Sequence, residues 1–125
     1  ELPPRDFESN LATDPHLFRH IVSNLISNAV VYAPENSWIA IRVHPGGLSV
    51  SNLAPELKKD DLRHLFQRYW RKDVSRTGST HTGLGLSLAH ACAELCGLNL
   101  TPSLEHGVLT MTVGVPIETH SAIPV

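Results

Sequence analysis

The stretch TDPHLFRHIVSNLISNAVVYAP, residues 13–34, decides how the rest of the chain is read. Asp14 suits an N-cap, Pro15 suits the first helical position, and Pro34 cannot continue a helix, so the segment predicts a helix over residues 15–32. Leu17, Phe18, Ile21, Val22, Leu25, Ile26 and Ala29 recur at the 3.6-residue period and give that helix one apolar stripe. The other face reads His16, Arg19, His20, Ser23, Asn24, Ser27 and Asn28. A solvated surface is the ordinary fate of such a face. Solvated faces are normally rich in Lys and Glu, however, and no formally charged side chain occurs in residues 23–33, while Asn, a mediocre helix former, is used twice. The expectation is that something covers this face. Asn24 and Asn28 lie one turn apart, and two stacked amide oxygens suit a hard cation such as Mg²⁺, which takes a few protein oxygens together with water and substrate phosphates.

Outward from this helix, the sequence organises into alternating elements. SWIAIRVHPGGLSVSNL alternates in hydrophobicity around Pro45, Gly46 and Gly47, predicting a hairpin with strands near 38–43 and 48–51. ELKKDDLRHLFQRYW, residues 56–70, spaces Leu57, Leu62, Leu65 and Phe66 helically and predicts a short amphipathic helix. RKDVSRTGSTHT, residues 71–82, has no hydrophobic period and is a loop of the length at which loops tend to be functional lids or disordered. GLGLSLAHACAELCG, residues 83–97, opens with two glycines and continues as a helix that Gly97 ends. LNLTPSL and HGVLTMTVGVP then form two strands joined through residues 105–107. Residues 1–13 read as a lead-in with a short strand around 7–11, and residues 117–125 as a frayed tail. The whole is one domain, residues 1–125 with a core of about 14–116, and an α+β two-layer sandwich with helices on one face of a mostly antiparallel sheet.

Composition narrows the function classes. Hydrophobic residues make up 42% and charged residues 18%, an ordinary globular balance. The formal charge of -2 argues against a nucleic-acid or anionic-membrane surface, which usually carries a basic excess. Cys92 and Cys96 suit neither a disulfide framework nor a complete zinc site and read as reduced thiols of a cytosolic chain. No apolar run approaches the ~20 residues of a membrane span. Glycines at the entry of the helix in TGLGL, residues 82–86, let backbone N–H groups approach an anion, where the helix dipole adds positive charge. Arg68, Arg71, Lys72 and Arg76 supply local positive charge just before it.

Together and in this order, these elements resemble the ATP-binding catalytic domain of bacterial two-component sensor histidine kinases, whose Bergerat fold is shared with gyrase and MutL. The resemblance spans about residues 14–116. NLISNAVVY is similar to the family's N box, which implies that Asn24 and Asn28 hold Mg²⁺ against the ATP phosphates and that Tyr32 lines the base or ribose side. LFQRYWR looks like the F box, with Phe66 and Tyr69 at its aromatic positions and Arg71 at its basic one, attending the phosphates. TGLGL resembles the second glycine box and implies that Thr82, Gly83, Leu84, Gly85 and Leu86 flank the triphosphate beneath a mobile lid of about residues 72–82. The fold so implied is a two-layer α/β sandwich whose mostly antiparallel sheet is mixed.

Several positions depart from the family pattern. Its first glycine box, Asp-x-Gly-x-Gly, is replaced by NLAPE, residues 52–56. The resemblance makes Asn52 the reader of the adenine amino group and puts Ala54 beside the nucleotide. A neutral acceptor contributes about 0.5–1.5 kcal/mol where a charged one contributes about 1.5–3, so nucleotide binding should be several-fold weaker. An inward Glu56 would repel phosphate, Val31 replaces a usual basic residue, and His81 replaces a glycine. None of the eight histidines is followed by an acidic residue, as the family's acceptor usually is, so the resemblance places the target histidine on dimerisation helices outside this chain. It also implies a response regulator as partner, no nucleic acid, and a cytoplasmic domain of an inner-membrane sensor protein without membrane contact of its own. Asn24 stands where gyrase-type relatives carry a water-activating glutamate, and an amide cannot be that base. The reading is therefore a protein-histidine kinase domain that holds ATP for transfer. Its alternative is a degenerate nucleotide-binding module serving regulation or interaction.

Overall fold

The computed structural model describes residues 14–70 and 85–116. The first helix, α1 (Pro15–Tyr32), starts as its sequence requires: the Asp14 carboxylate accepts the backbone N–H of His16 at 2.8 Å and of Leu17 at 3.4 Å. Strands β1 (Ile39–His44) and β2 (Gly47–Leu53) follow as a hairpin. Its tight turn places Pro45 before Gly46, whose φ of 78° is the conformation that glycine adopts without cost. Helix α2 (Gly85–Leu95) leads into β3 (Asn99–Glu105) and β4 (Val108–Gly114), a second hairpin that turns through His106 and Gly107, both at positive φ. Gly97 closes α2, with its N–H on the Glu94 carbonyl at 3.1 Å and the Leu98 N–H on the Ala93 carbonyl at 2.8 Å, the paired bonds of a Schellman cap.

The described sheet has the order β1-β2-β4-β3 with every pair antiparallel. Register aligns the helix-facing side chains in rows: Val43, Leu48, Val113 and Leu100; then Ile41, Val50, Met111 and Pro102; then Ile39, Asn52, Leu109 and Leu104. Ile21, Leu25 and Ala29 of α1 and Leu86, Ala89 and Ala93 of α2 complete one buried core with the two inner strands. The outer sheet face is hydroxylic, with Ser51 to Thr110 at 2.9 Å and Ser49 to Thr112 at 3.2 Å across the β2–β4 pair. This is the expected α+β two-layer sandwich.

One expected element differs. Residues 56–70 do not form an amphipathic α-helix; a 3₁₀ helix covers Lys59–His64, capped where the Asp61 carboxylate accepts the Lys58 N–H at 2.9 Å. The leucines that suggested a helix are divided between it and its flanks, with Leu57 buried before it and Leu65 after it. So short a segment gains little from α-helix cooperativity, and turns place these leucines on the core equally well. The expected strand near residues 7–11, the loop of residues 71–82 and the tail of residues 117–125 lie outside the described residues.

Candidate functional site

Chain direction brings the predicted residues to one end of the sandwich. α1 ends at Tyr32, and the chain enters β1 at Ile39, which pairs with Asn52 near the end of β2. β3 begins at Asn99 beside Gly114 and ends at Glu105 beside Val108, so α2 runs back against α1 and starts at the same end. The C-terminal half of α1, the end of β2 and the first turn of α2 therefore converge. Asn24 and Gly85 are neighbours there: a β-carbon built on Gly85 would lie 3.7 Å from the Asn24 Oδ1.

Asn28 and Asn52 are the buried polar side chains of the described residues, 2% and 1% exposed. Asn28 Oδ1 and Nδ2 and Asn24 Nδ2 are buried without a hydrogen-bond partner among the described residues. Burying such an amide unpaired costs about 1–3 kcal/mol, and native proteins seldom leave one so without reason. The predicted polar face of α1 thus divides: Asn28 is buried, Asn24 half-buried, while His16, Arg19, His20, Ser23 and Ser27 are exposed. The unpaired Asn28 oxygen is the donor type a hard, oxygen-seeking cation prefers, so Asn28 fits Mg²⁺ on the chemistry of its donor, whereas the unpaired atom of Asn24 is its nitrogen.

Asn52 is not in a loop as its motif position suggests, but within β2, which extends to Leu53. Its Nδ2 donates to the Leu53 carbonyl at 2.8 Å. The following turn forms without glycine: the Ala54 N–H donates to the Gly107 carbonyl at 2.8 Å, the Leu57 N–H to the Ala54 carbonyl at 3.0 Å, and no residue of 52–58 has positive φ. Ala54 is buried and Glu56 is exposed, so the feared inward carboxylate is turned outward. Val31 and Tyr32 are half-buried, and Tyr32 packs against the core.

Of the aromatic positions, Phe66 packs against the core and stacks on His90 of α2, ring centroids 4.6 Å apart and planes at 25°. Sequence reasoning did not anticipate His90, since a ring contact between a turn and a later helix leaves no periodic signal. Tyr69 is exposed, at φ 66°, with the Arg68 guanidinium 5.8 Å from its ring centre. Trp70 stacks on His64 at 5.8 Å. Arg71, Lys72, Arg76, His81, Thr82, Gly83 and Leu84 lie outside the described residues; Leu86 is in the core. Cys92 and Cys96 are free and half-buried. No helix among the described residues is long and apolar enough to cross a membrane.

Comparison with known proteins gives a consistent result. The family model described as histidine kinase-, DNA gyrase B-, and HSP90-like ATPase matches residues 13–119. The sensor histidine kinase HprS of Escherichia coli K12 is 40% identical over 105 residues, which are 80% of this chain and 23% of that protein. The sensor protein QseC of Salmonella typhi is 33% identical over 88 residues, covering 70% of this chain and 19% of its own length. The chain thus spans about a fifth to a quarter of these relatives. Among solved structures, the mycobacterial sensor histidine kinase MprB superposes with a TM-score of 0.66 at 19% identity, over 83% of this chain and 76% of that one. The Acinetobacter baumannii histidine kinase AdeS gives 0.58 at 20% identity, over 84% and 48%. At such identities the structural likeness speaks for the fold alone.

Proposed function

Because this chain belongs to the histidine kinase-, DNA gyrase B- and HSP90-like ATPase family as an ATP-binding catalytic domain of sensor histidine kinase type, we propose that it holds ATP with Mg²⁺ and donates the γ-phosphate to a histidine on dimerisation helices outside residues 1–125, for relay to a response regulator. The observation that carries this reading is the set of buried, unpaired amide atoms in the C-terminal half of α1, the Asn24 nitrogen and above all Asn28, whose oxygen and nitrogen both lack a partner among the described residues. Asn24 and Asn28 hold the cation through their Oδ1 atoms. When bound, Mg²⁺ supplies charge neutralisation for the phosphates, the main need of phosphoryl transfer. Gly85 keeps the start of α2 free of a side chain, so that backbone N–H groups, that of Leu86 among them, and the helix dipole face the phosphates together with Thr82, Gly83 and Leu84, while the Leu86 side chain stays in the core. Arg71 adds positive charge there. Tyr32, Asn52 and Ala54 attend the nucleoside. Asn24 cannot accept a proton from water as a carboxylate can, which favours transfer over hydrolysis. On this proposal the domain works on the cytoplasmic side of an inner-membrane sensor protein, without nucleic acid as a partner and without membrane contact of its own.

A second reading, a weakly binding regulatory module, is favoured by one observation: the Ala54 N–H, in the segment that replaces a glycine box, is already committed to Gly107. Titration with ATP, with and without Mg²⁺, by calorimetry and thermal shift separates the two. A ligand at a hundredfold excess over its dissociation constant stabilises the folded state by about 2.7 kcal/mol, so millimolar ATP should raise the melting temperature in a Mg²⁺-dependent way. No shift at that concentration favours the regulatory module.

A further inference from the structure

We infer that Cys92 and Cys96 form a chelating dithiol for a soft cation of low coordination number, of which Cu⁺ is the type. The site lies apart from the nucleotide end of the domain and does not depend on that reading. Cys92 is within α2, and Cys96 directly follows its last residue. The Cys96 N–H donates to the Cys92 carbonyl at 3.1 Å, the four-residue bond of an α-helix, so helical geometry extends across the pair. The cap at Gly97 pins that turn through the bonds from Gly97 to Glu94 and from Leu98 to Ala93. Residues so spaced share one helix face, with Cβ atoms about 5–6 Å apart. Both thiols are free and half-buried, packed against the core on one side and open on the other. Gly85 stands at the opposite end of α2, about 10 Å from Cys92 along the axis.

Distances decide what such a thiol pair can do. A disulfide needs Cβ atoms about 3.5–4.5 Å apart, closer than adjacent turns of a helix hold them. Zinc in a structural site takes four ligands, and among the described residues no group of three or more His, Cys, Asp or Glu side chains is placed to hold a metal. A cation satisfied by two thiolates meets neither obstacle. Two metal–sulfur bonds of about 2.3 Å, the length found for zinc thiolates, span about 4.6 Å from sulfur to sulfur, which side chains one turn apart reach by leaning toward each other. Softness narrows the choice further, because thiolates select Cu⁺ where oxygen donors select Mg²⁺. On binding, each S–H gives its proton to solvent, two S–Cu bonds form, and no electron moves.

The test is anaerobic titration of the unaltered chain with Cu⁺ against bicinchoninate, a competing chelator, with ultraviolet absorption recording thiolate-to-copper charge transfer. Cys92 and Cys96 are the only cysteines of the chain, so that band reports this pair alone. One Cu⁺ should bind per chain, and Cys92→Ser and Cys96→Ser should each weaken it at least about a hundredfold, since even the outer partners of a metal ligand are worth about tenfold to a hundredfold. The same titration in denaturing urea should give binding at least about tenfold weaker, because a flexible chain presents its second thiol at a lower effective concentration than the helix does. Equal affinity in the folded and the unfolded chain overturns the inference, as does one Cu⁺ shared between two chains on a sizing column, or a single-serine variant that binds as tightly as the original. Absence of the charge-transfer band overturns it too and leaves the thiols as packing groups. Should a serine variant not fold, the comparison of the folded and unfolded original chain decides alone.

Discussion

The Asn24 Oδ1 stands 3.7 Å from where a β-carbon on Gly85 would lie, so the polar face of α1 meets the first turn of α2 at a position kept free of any side chain. That separation is ordinary van der Waals contact, and no positive φ constrains Gly85. Gly85→Ala should therefore fold, with stability unchanged or raised by up to about 1 kcal/mol because alanine loses less backbone entropy. The added methyl group touches the Asn24 Oδ1 without crowding it but occupies the approach to the helix N-terminus, so ATP affinity should fall. Chemical denaturation paired with nucleotide titration checks this; a variant that is more stable and binds ATP equally well contradicts the assigned role of Gly85.

Asn28 gives the complementary case. Replacing it with leucine, which shares its branched outline but is larger, removes two buried, unpartnered polar atoms of one amide, a group whose unpaired burial costs about 1–3 kcal/mol. Asn28→Leu should raise the stability of the nucleotide-free domain by about 1–3 kcal/mol while abolishing Mg²⁺-dependent stabilisation by ATP. Urea denaturation with and without the nucleotide reads both effects. A destabilised variant that still responds to Mg²⁺ and ATP would show that the amide serves packing instead.

How far the sequence carried the reading depends on whether a feature is local. α1 was legible because Asp14, Pro15 and Pro34 act within a few residues of themselves, and the Asp14 carboxylate does accept the N–H groups of the first turn. Both hairpins were legible from Pro45–Gly46 and from the turn at residues 105–107. The strand order was not, because β2 and β4 meet across about sixty residues, as in Ser51 and Thr110, and nothing local encodes that pairing. Residues 56–70 misled because leucines at helical spacing reach the core from a 3₁₀ helix and its flanking turns as well as from an α-helix. Within the site, Asn24 and Asn28 drew notice by residue type alone, since uncharged amides are unusual on an amphipathic helix. The bond from Asn52 to Leu53 was invisible, because the rotamer of a strand residue is settled by the row in which it is buried.

The stack of Phe66 on His90 joins the segment after the 3₁₀ helix to the middle of α2. An aromatic pair in this geometry contributes about 0.5–1.5 kcal/mol beyond the area it buries. His90→Ala should destabilise the domain by about 1 kcal/mol or more, and His90→Phe should restore most of the loss. A double-mutant cycle with Phe66→Leu isolates the coupling from the burial. A coupling energy near zero in urea denaturation would mean that the rings are neighbours without mutual stabilisation.

Gly47 is required for a reason unrelated to the nucleotide. It begins β2 opposite Gly114 of β4, and a β-carbon there would collide with the Val113 carbonyl oxygen and lie 2.9 Å from the Gly114 Cα. Those are backbone atoms of an inner strand, held by the ladder and by the bond from the Val115 N–H to the Gly46 carbonyl at 2.9 Å. They cannot step aside as a flexible side chain can. Gly47→Ala should force β1 and the start of β2 away from β4, costing about 1–3 kcal/mol, with the loss centred at the end of the sandwich remote from Asn28 and Asn52. Hydrogen exchange should show protection lost at residues 47–49 and 112–114, while any affinity for ATP among folded molecules is retained. Exchange that rises first around residues 52–54 would indicate that the two ends of the sheet are mechanically coupled and that scaffold and site are not separate.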